Sequence, residues 1–442
     1  MLNLEFTTDE VMNRINKVVE FKEIQKAEKT FFNENGKFMH HNFAKYLIKT
    51  YHIKHLEYQL YVYRDGIYVN DEKFIHKLMI KEIDNIEKSQ RMETIEYIRY
   101  SAEQAELESP MFIAVKNGIL NAKTGEVRSF SPDYFLTNKI NAAYDPNAHN
   151  TDVENIISAI AGKDDEVITL LKEIFGYIIY RENFLDKSFL FYGPPGTGKS
   201  KVIEMYRNFV GNENTSTVSL QGLEDKFNTA RLLNKLLNAG DDIPKDAIKD
   251  SSNFKKLSTG ESLDVQRKGQ DPFTMSPFAK LMFASNHLPH MSDKVEAITD
   301  RFYIVPLTVR FRNTDNVDPH IGEKLNTENA RSHMLNIAIE HLPKLLQRNY
   351  MTTPQVVRDM AERFVSENNP LMEFVKENDV HEVMTEEAHR LYQDWCKDAG
   401  YFPLARNRFT SAMKDLGYTV GDKRHSINGR MTGNKKTFLK SE

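Results

Sequence analysis

The densest chemistry in this chain lies in eight consecutive residues. Gly193, Pro194, Pro195, Gly196, Thr197, Gly198, Lys199 and Ser200 set glycines ahead of a lysine and a hydroxyl. That spacing lets backbone N–H groups curl round phosphates at the start of a helix. Lys199 then reaches the outer phosphates, and the Ser200 hydroxyl ligates magnesium. The flanks agree, because Ser188–Tyr192 reads as a buried strand and Lys201–Phe209 as a helix. A nucleoside triphosphate with Mg2+ is the expected occupant.

A phosphate loop alone leaves kinases, GTPases, transporters and motors open. Downstream, the apolar run Arg231–Gly240 reads as a strand ending in Asp241 and Asp242. Paired carboxylates there can bind magnesium and polarise water, while a solvated acidic turn before Pro244 is the plainer alternative. Lys280–Ser285 reads as a second buried strand that delivers Asn286, able to orient an attacking water or only to close the strand. Arg301 follows between Asp300 and the strand-like Phe302–Pro306. An arginine inserted from a neighbouring subunit stabilises charge on a transferring phosphoryl group, worth ~10³–10⁵ in rate; a surface or helix-pairing arginine is the bland alternative.

These groups need a frame. At 442 residues the chain holds about two to four domains. Residues 1–105 read as a mainly helical domain, with Val11, Ile15, Val18 and Val19 at helical spacing and a hairpin around Asp65-Gly66. Residues 106–150 form a strand-rich connecting segment with turns at Asn117-Gly118 and Thr124-Gly125. Residues 151–350 hold the α/β nucleotide-binding core, and 351–442 a small C-terminal domain. The balance of 59 Lys+Arg against 63 Asp+Glu gives −4, so a polyanion must be held by local basic surfaces. Cys396 is the single cysteine, which excludes disulfide frameworks, iron–sulfur clusters and multi-cysteine zinc sites; it reads as a packed helix position. His40, His41, His52 and His55 read as ordinary surface histidines. No apolar run approaches the ~20 residues that span a bilayer, and the start lacks the pattern of a signal peptide. A soluble, cytoplasmic protein without membrane partners is expected.

Taken in order, Gly193 to Ser200, Asp241-Asp242, Lys255–Glu261, Phe283–Asn286 and Asp300–Phe302 resemble the motif series of superfamily 3 helicases. More narrowly, the chain resembles the phage, plasmid and poxvirus primase-helicases, including replication initiators on bacterial mobile elements such as pathogenicity islands. Val115–Asn121 and Tyr144-Asp-Pro146 are similar to the domain that precedes the ATPase in that family. The resemblance implies an AAA+ type P-loop core, a hexameric ring with ATP sites between subunits, and 3′ to 5′ translocation on one DNA strand. It also implies that Lys268, at the tip of a hairpin over 262–275, grips DNA in the pore, with Lys255 and Lys256 as weaker candidates. This chain has Asp-Asp where AAA+ proteins commonly have Asp-Glu; Asp242 is taken as the base, and Asp241 joins Ser200 at the metal. Primer synthesis is disfavoured, since zinc-binding cysteines and a convincing acid cluster in the first 110 residues are missing.

The last 42 residues are basic. Leu391–Lys397, Arg406–Leu416 and strands broken by Gly421, Gly429 and Gly433 resemble a winged helix, with Arg406, Arg408 and Lys414 on or near a groove-reading helix. Duplex origin DNA is the expected partner of this domain, and single-stranded and forked DNA and host replication proteins those of the ring. The leading function is therefore a replicative DNA helicase that doubles as an initiator. The rival is an ATP-regulated DNA-binding assembly switch that recruits a host helicase. A nucleotide kinase is disfavoured by Asn286, Arg301 and the basic C-terminus.

Overall fold

The computed structural model describes residues 31–57, 59–240, 243, 246–248, 251–291, 299–312, 318–399, 401, 403–427 and 430–440. The helix expected from Val11 to Val19 and the pair Asp241 and Asp242 lie outside the described residues.

The N-terminal unit contains α1 (His40–Tyr51), β1 (Lys54–Leu56), β2 (Gln59–Arg64), β3 (Ile67–Val69), α2 (Glu72–Glu82), α3 (Lys88–Ser101) and β4 (Glu103–Gln104). Its sheet has the order β3-β2-β1-β4. Asp65 and Gly66 join β2 to β3 at φ 52° and 89°, the left-handed pair that a tight two-residue hairpin requires. The unit is more mixed than the mainly helical expectation, because β1 and β4 have only three and two residues and carry no legible alternation. Next come β5 (Phe112–Val115), β6 (Gly118–Asn121) and β7 (Val127–Arg128), an antiparallel sheet near the expected turns. The buried Arg181 guanidinium fastens this sheet to the core by donating to the carbonyls of Glu108 at 2.7 Å, Ser109 at 2.9 Å and Phe112 at 3.2 Å. Burial lowers its pKa to about 10, so it stays charged at neutral pH.

The core begins with α4 (Thr151–Ile160), α5 (Asp165–Ile179), β8 (Ser188–Tyr192), α6 (Lys199–Val210), β9 (Thr215–Ser216), the single turn α7 (Lys226–Thr229) and β10 (Leu237–Ala239). It continues through β11 (Asp246–Ile248), α8 (Ser252–Thr259), the hairpin β12 (Leu263–Val265) and β13 (Phe273–Met275), β14 (Lys280–Ser285), β15 (His290–Met291) and β16 (Phe302–Pro306). Helices α9 (Ile321–Leu325), α10 (Glu328–Arg348) and α11 (Gln355–Asn368) follow. Five strands pair in parallel in the order β16-β8-β14-β10-β9. Phe189, Phe191, Met282 and Val305 enter one hydrophobic core, and Leu190, Leu281, Phe283 and Ile304 enter another. Strands covered on both faces read as continuous apolar runs, which is why β14 and β16 coincide with the runs seen in the sequence. The expected strand Arg231–Gly240 is shortened to Leu237–Ala239, because Arg231 and Leu232 lie in a 3-10 turn and Asn234 takes a left-handed φ of 55°.

Helix α11 buries Met360 and Phe364 against the sheet, so the separate C-terminal core starts at Leu371 rather than at residue 351. Its elements are α12 (Pro370–Glu377), α13 (Thr385–Ala399), α14 (Arg406–Asp415), β17 (Tyr418–Ile427) and β18 (Arg430–Lys440), packed around Phe374, Tyr392, Phe409 and Phe438. Gly421 does not break its strand as expected, since it pairs with Thr437 within one long antiparallel hairpin, whereas Gly433 sits at the register irregularity between Asn434 and Met431, and Gly429 lies outside the described residues. Among the described residues, no helix is long and apolar enough to cross a membrane.

Helices α5 and α10 pack closest at Gly176, where an added Cβ would stand 2.9 Å from Leu342 N and 3.1 Å from Ala338 O. Those neighbours are backbone and cannot swing away. Gly176→Ala should therefore destabilise the core by ~1–3 kcal/mol and lower Tm by several degrees in thermal denaturation. Gly433→Ala, where an added Cβ meets nothing within 4 Å, should leave Tm unchanged.

Candidate functional site

The loop after β8 enters α6 through Gly198, its N-cap, at φ 88°. Gly196 stands at φ 90°, and an added Cβ there would lie 2.6 Å from the Arg312 Cβ. The chain beyond β16 thus passes directly over the loop, and the Phe311 N–H donates to the Gly196 carbonyl at 2.9 Å. Lys199 is 6% exposed. Its ammonium donates to the carbonyls of Gly193 at 2.7 Å and Pro194 at 3.0 Å, and to Asn286 Oδ1 at 2.7 Å. An ammonium only donates, so Asn286 turns its oxygen to Lys199 and its NH2 group is the side able to meet a phosphate or water oxygen. The Ser200 hydroxyl is exposed on the first turn of α6, a hard oxygen donor of the kind magnesium takes.

Strand β14 lies between β8 and β10, and this insertion makes the meeting of Lys199 and Asn286 possible. The Gly193 N–H donates to the Ser285 carbonyl at 3.2 Å, Gly240 to Met282 at 2.9 Å and Ile243 to Ala284 at 2.9 Å. The residues on either side of Asp241-Asp242 are thus pinned to the strand that ends in Asn286. Among the described residues, no group of three or more His, Cys, Asp or Glu is arranged to hold a metal ion. Burial raises the Cys396 thiol pKa, which disfavours the reactive thiolate.

Small-molecule pockets span about 300–1,000 Å³, and one of about 730 Å³ adjoins the loop. Ile156, Ala159 and Ile160 of α4, with Phe311 and Ile321, form its apolar wall, while Arg312 and Lys201, the latter paired with Glu204 at 2.6 Å, stand beside Gly196 and Gly198 in a lining that also holds Asp152 and Asp318. The arrangement can hold a flat apolar ring at one end and phosphates at the other. Sequence reasoning missed this wall and Arg312. The isoleucines of α4 have the spacing of any core helix, and nothing in the order of residues ties 156 or 311 to the loop.

Arg301 lies elsewhere. Its carbonyl accepts from the Ser188 N–H at 2.7 Å, at the start of β8, whereas the phosphate loop leaves the other end. Five residues of strand separate the two by ~16 Å. Lys187 donates to the Asp300 carbonyl and shares that edge; burial lowers its pKa, and the charge of Arg301 lowers it further. The expected basic hairpin is β12–β13, with Val265 opposite Phe273. Gln270 N–H closes its turn on the Arg267 carbonyl at 3.0 Å, leaving Lys268 exposed at the tip. Lys255 and Lys256 sit on α8, away from the cleft that Lys268 lines. Arg406, Arg408 and Lys414 are exposed on α14, whose Phe409 and Met413 are buried.

Three families match separate parts of the chain. Residues 8–176 match a D5 N-terminal-like family, 191–301 a family of unknown function (DUF5906), and 366–436 a poxvirus D5 protein-like family. A helicase-named protein of Invertebrate iridescent virus 3 is 26% identical over 221 residues, which is 46% of this chain. The chain spans less than a quarter of that relative, 23% of its length. Two solved structures of the NrS-1 C-terminal region share the fold, with TM-scores of 0.53 and 0.51 at 13% and 14% identity, each match covering 90% of this chain and 98% of the other.

Phe311→Ala should weaken ATP binding about tenfold in a fluorescent-nucleotide titration, the effect of ~1.4 kcal/mol, while leaving pyrophosphate competition unchanged. Equal losses for both ligands would mean that Phe311 supports the loop and not the base.

Proposed function

We infer that this protein is an ATP-driven DNA helicase acting in replication, of the superfamily 3 type with an AAA+ core. The observation that carries the reading is the 2.7 Å hydrogen bond from Lys199 to Asn286, made across adjacent parallel strands at the mouth of a phosphate-binding loop. A motor needs a lysine on the outer phosphates and a polar group from a neighbouring strand that registers the reacting end of the nucleotide. The D5-like matches at both ends of the chain and the helicase-named viral relative support a replicative role.

In this mechanism the loop N–H groups and Lys199 hold the β- and γ-phosphates. Ser200 and Asp241 would hold Mg2+, which would supply neutralising charge to those phosphates. Asp242 accepts the proton of the attacking water, and the Asn286 carboxamide orients that water as the γ-phosphoryl group leaves ADP. Arg301 acts in a neighbouring subunit, because ~16 Å of strand keeps it from the loop of its own chain. The subunits form a hexameric ring that moves 3′ to 5′ along single-stranded DNA. Lys268 grips phosphates from the hairpin tip, with Lys255 and Lys256 adding positive charge. Arg406, Arg408 and Lys414 on α14 let the C-terminal unit, of winged-helix type, bind duplex DNA at an origin.

Purified protein should unwind a forked duplex with a 3′ tail while hydrolysing ATP, and Lys199→Ala should abolish both. Arg301→Ala should slow hydrolysis by ~10³-fold or more with ATP affinity changed less than about twofold. Mixing the two inactive variants should restore part of the hydrolysis, since some sites then combine an intact Lys199 with a neighbour's intact Arg301. No recovery would place Arg301 outside the shared site. Hydrolysis without strand separation would favour an ATP-regulated switch over a motor.

A further inference from the structure

A cleft of about 690 Å³ separates the N-terminal unit from the core. Its walls come from the β2–β3 hairpin, the segment at Lys139, the stretch from Phe227 to Lys235, and the tip of β12–β13. Six cationic side chains, Arg64, Lys139, Arg231, Lys235, Arg267 and Lys268, face two carboxylates, Asp65 and Glu213. The whole chain is acidic at −4, so this is a local concentration of positive charge.

Four of these cations are held on neutral oxygens. Lys139 donates to the Asp65 backbone carbonyl at 2.6 Å, and Lys235 to that of Glu213 at 2.5 Å. Arg231 donates to the Thr217 hydroxyl at 3.3 Å, and Arg267 to Asn70 Oδ1 at 2.8 Å. These acceptors are uncharged oxygens. Among the described residues, only Arg64 of the six comes within 4.0 Å of a carboxylate, at 3.5 Å from Asp65. Positive charge held in place on neutral acceptors, between walls of low dielectric, attracts a polyanion strongly.

Two further features choose the polyanion. The Phe227 ring is 45% exposed and lines the same cleft, with the Lys226 ammonium 5.4 Å from its centroid. An exposed ring among fixed cations is a platform for an unpaired base. In a duplex the bases are paired and stacked on each other, so a ring that receives a base face favours a single strand. On the far side of Arg267, a second cleft is lined by Glu57, Asp71, Glu72 and Asp271 together with Lys73 and Arg99, a mixed lining in which Arg99 is paired with Glu72 at 2.9 Å, so positive charge is less concentrated there.

We propose that this cleft binds single-stranded nucleic acid, its phosphates on the six cations and one base on Phe227, so that the strand gripped by the hairpin tip continues against the N-terminal unit. The proposal rests on the helicase reading only for the strand being DNA; binding itself needs no turnover.

The test is fluorescence anisotropy of a labelled oligothymidine of twenty nucleotides with the full chain, across a salt series without ATP. Arg64→Gln combined with Arg231→Gln should make the slope of log K against log salt shallower by about 1.4, since each single-strand phosphate contact contributes ~0.7. Phe227→Ala should weaken binding roughly tenfold. Unchanged affinity and slope in variants with wild-type Tm would overturn the proposal, as would equal effects on a blunt duplex. Ultraviolet cross-linking of a bromodeoxyuridine oligonucleotide to the wild type keeps the question open to test if a variant does not fold. Adducts at Phe227 are expected, and adducts confined to α14 would overturn the assignment. Intact binding without unwinding would count against the motor alone, and unwinding with no loss in the cleft variants would count against the cleft alone.

Discussion

Parallel strands deliver their C-terminal loops to one edge of a sheet, and in this protein that constraint governs the candidate site around Gly193–Ser200. With β14 between β8 and β10, the phosphate loop, Asn286 and the residues flanking the acidic pair all emerge on the same side. The Lys199 ammonium is nearly buried there, among neutral oxygens. Burying a cation is costly without hydrogen bonds, and each bond to a charged group contributes ~1.5–3 kcal/mol. The lysine is thus held in position by the same strand arrangement that presents Asn286. A different strand order would leave the loop intact and separate these two groups.

The same geometry divides labour between the two edges of the sheet. Arg301 precedes β16 where β8 also starts, remote from the loop of its own chain. The apolar pocket under α4 is built instead from residues of one chain, closed by Phe311 and Arg312 after β16. One strand therefore has a cationic residue just before its start and a continuation that covers the pocket beside the glycine-rich loop.

Contacts between units combine apolar packing, in which Ile113, Val115, Leu120 and Ile140 of the connecting segment share one core with Ile157 and Phe209, with a few polar side chains. Arg181 holds the connecting sheet through three carbonyls. Asn234 donates to the Tyr61 hydroxyl at 2.8 Å, and Arg267 reaches Asn70. The last of these joins the basic hairpin to the N-terminal unit, so any displacement of the hairpin has to exchange that hydrogen bond for another partner. Polar latches of this kind allow such exchange at modest cost, because water or phosphate can replace the lost acceptor.

The amino-acid sequence by itself determined the phosphate loop with its strand and helix, the strands Lys280–Ser285 and Phe302–Pro306, the Asp-Gly hairpin, the basic hairpin tip and the helix carrying Arg406 and Arg408. Each is a local pattern: glycine spacing, an unbroken apolar run between turns, or helical periodicity. Strand order was decided only in three dimensions, as were the contact of Lys199 with Asn286, the pocket joining α4 to Phe311, and the cleft that brings Arg64 to Lys268. Residues far apart in the chain meet there through packing, and no local pattern encodes which distant strand will be the neighbour. The long C-terminal hairpin makes the same point, since Gly421 signals a break by composition and is kept in the strand by its cross-strand partner Thr437.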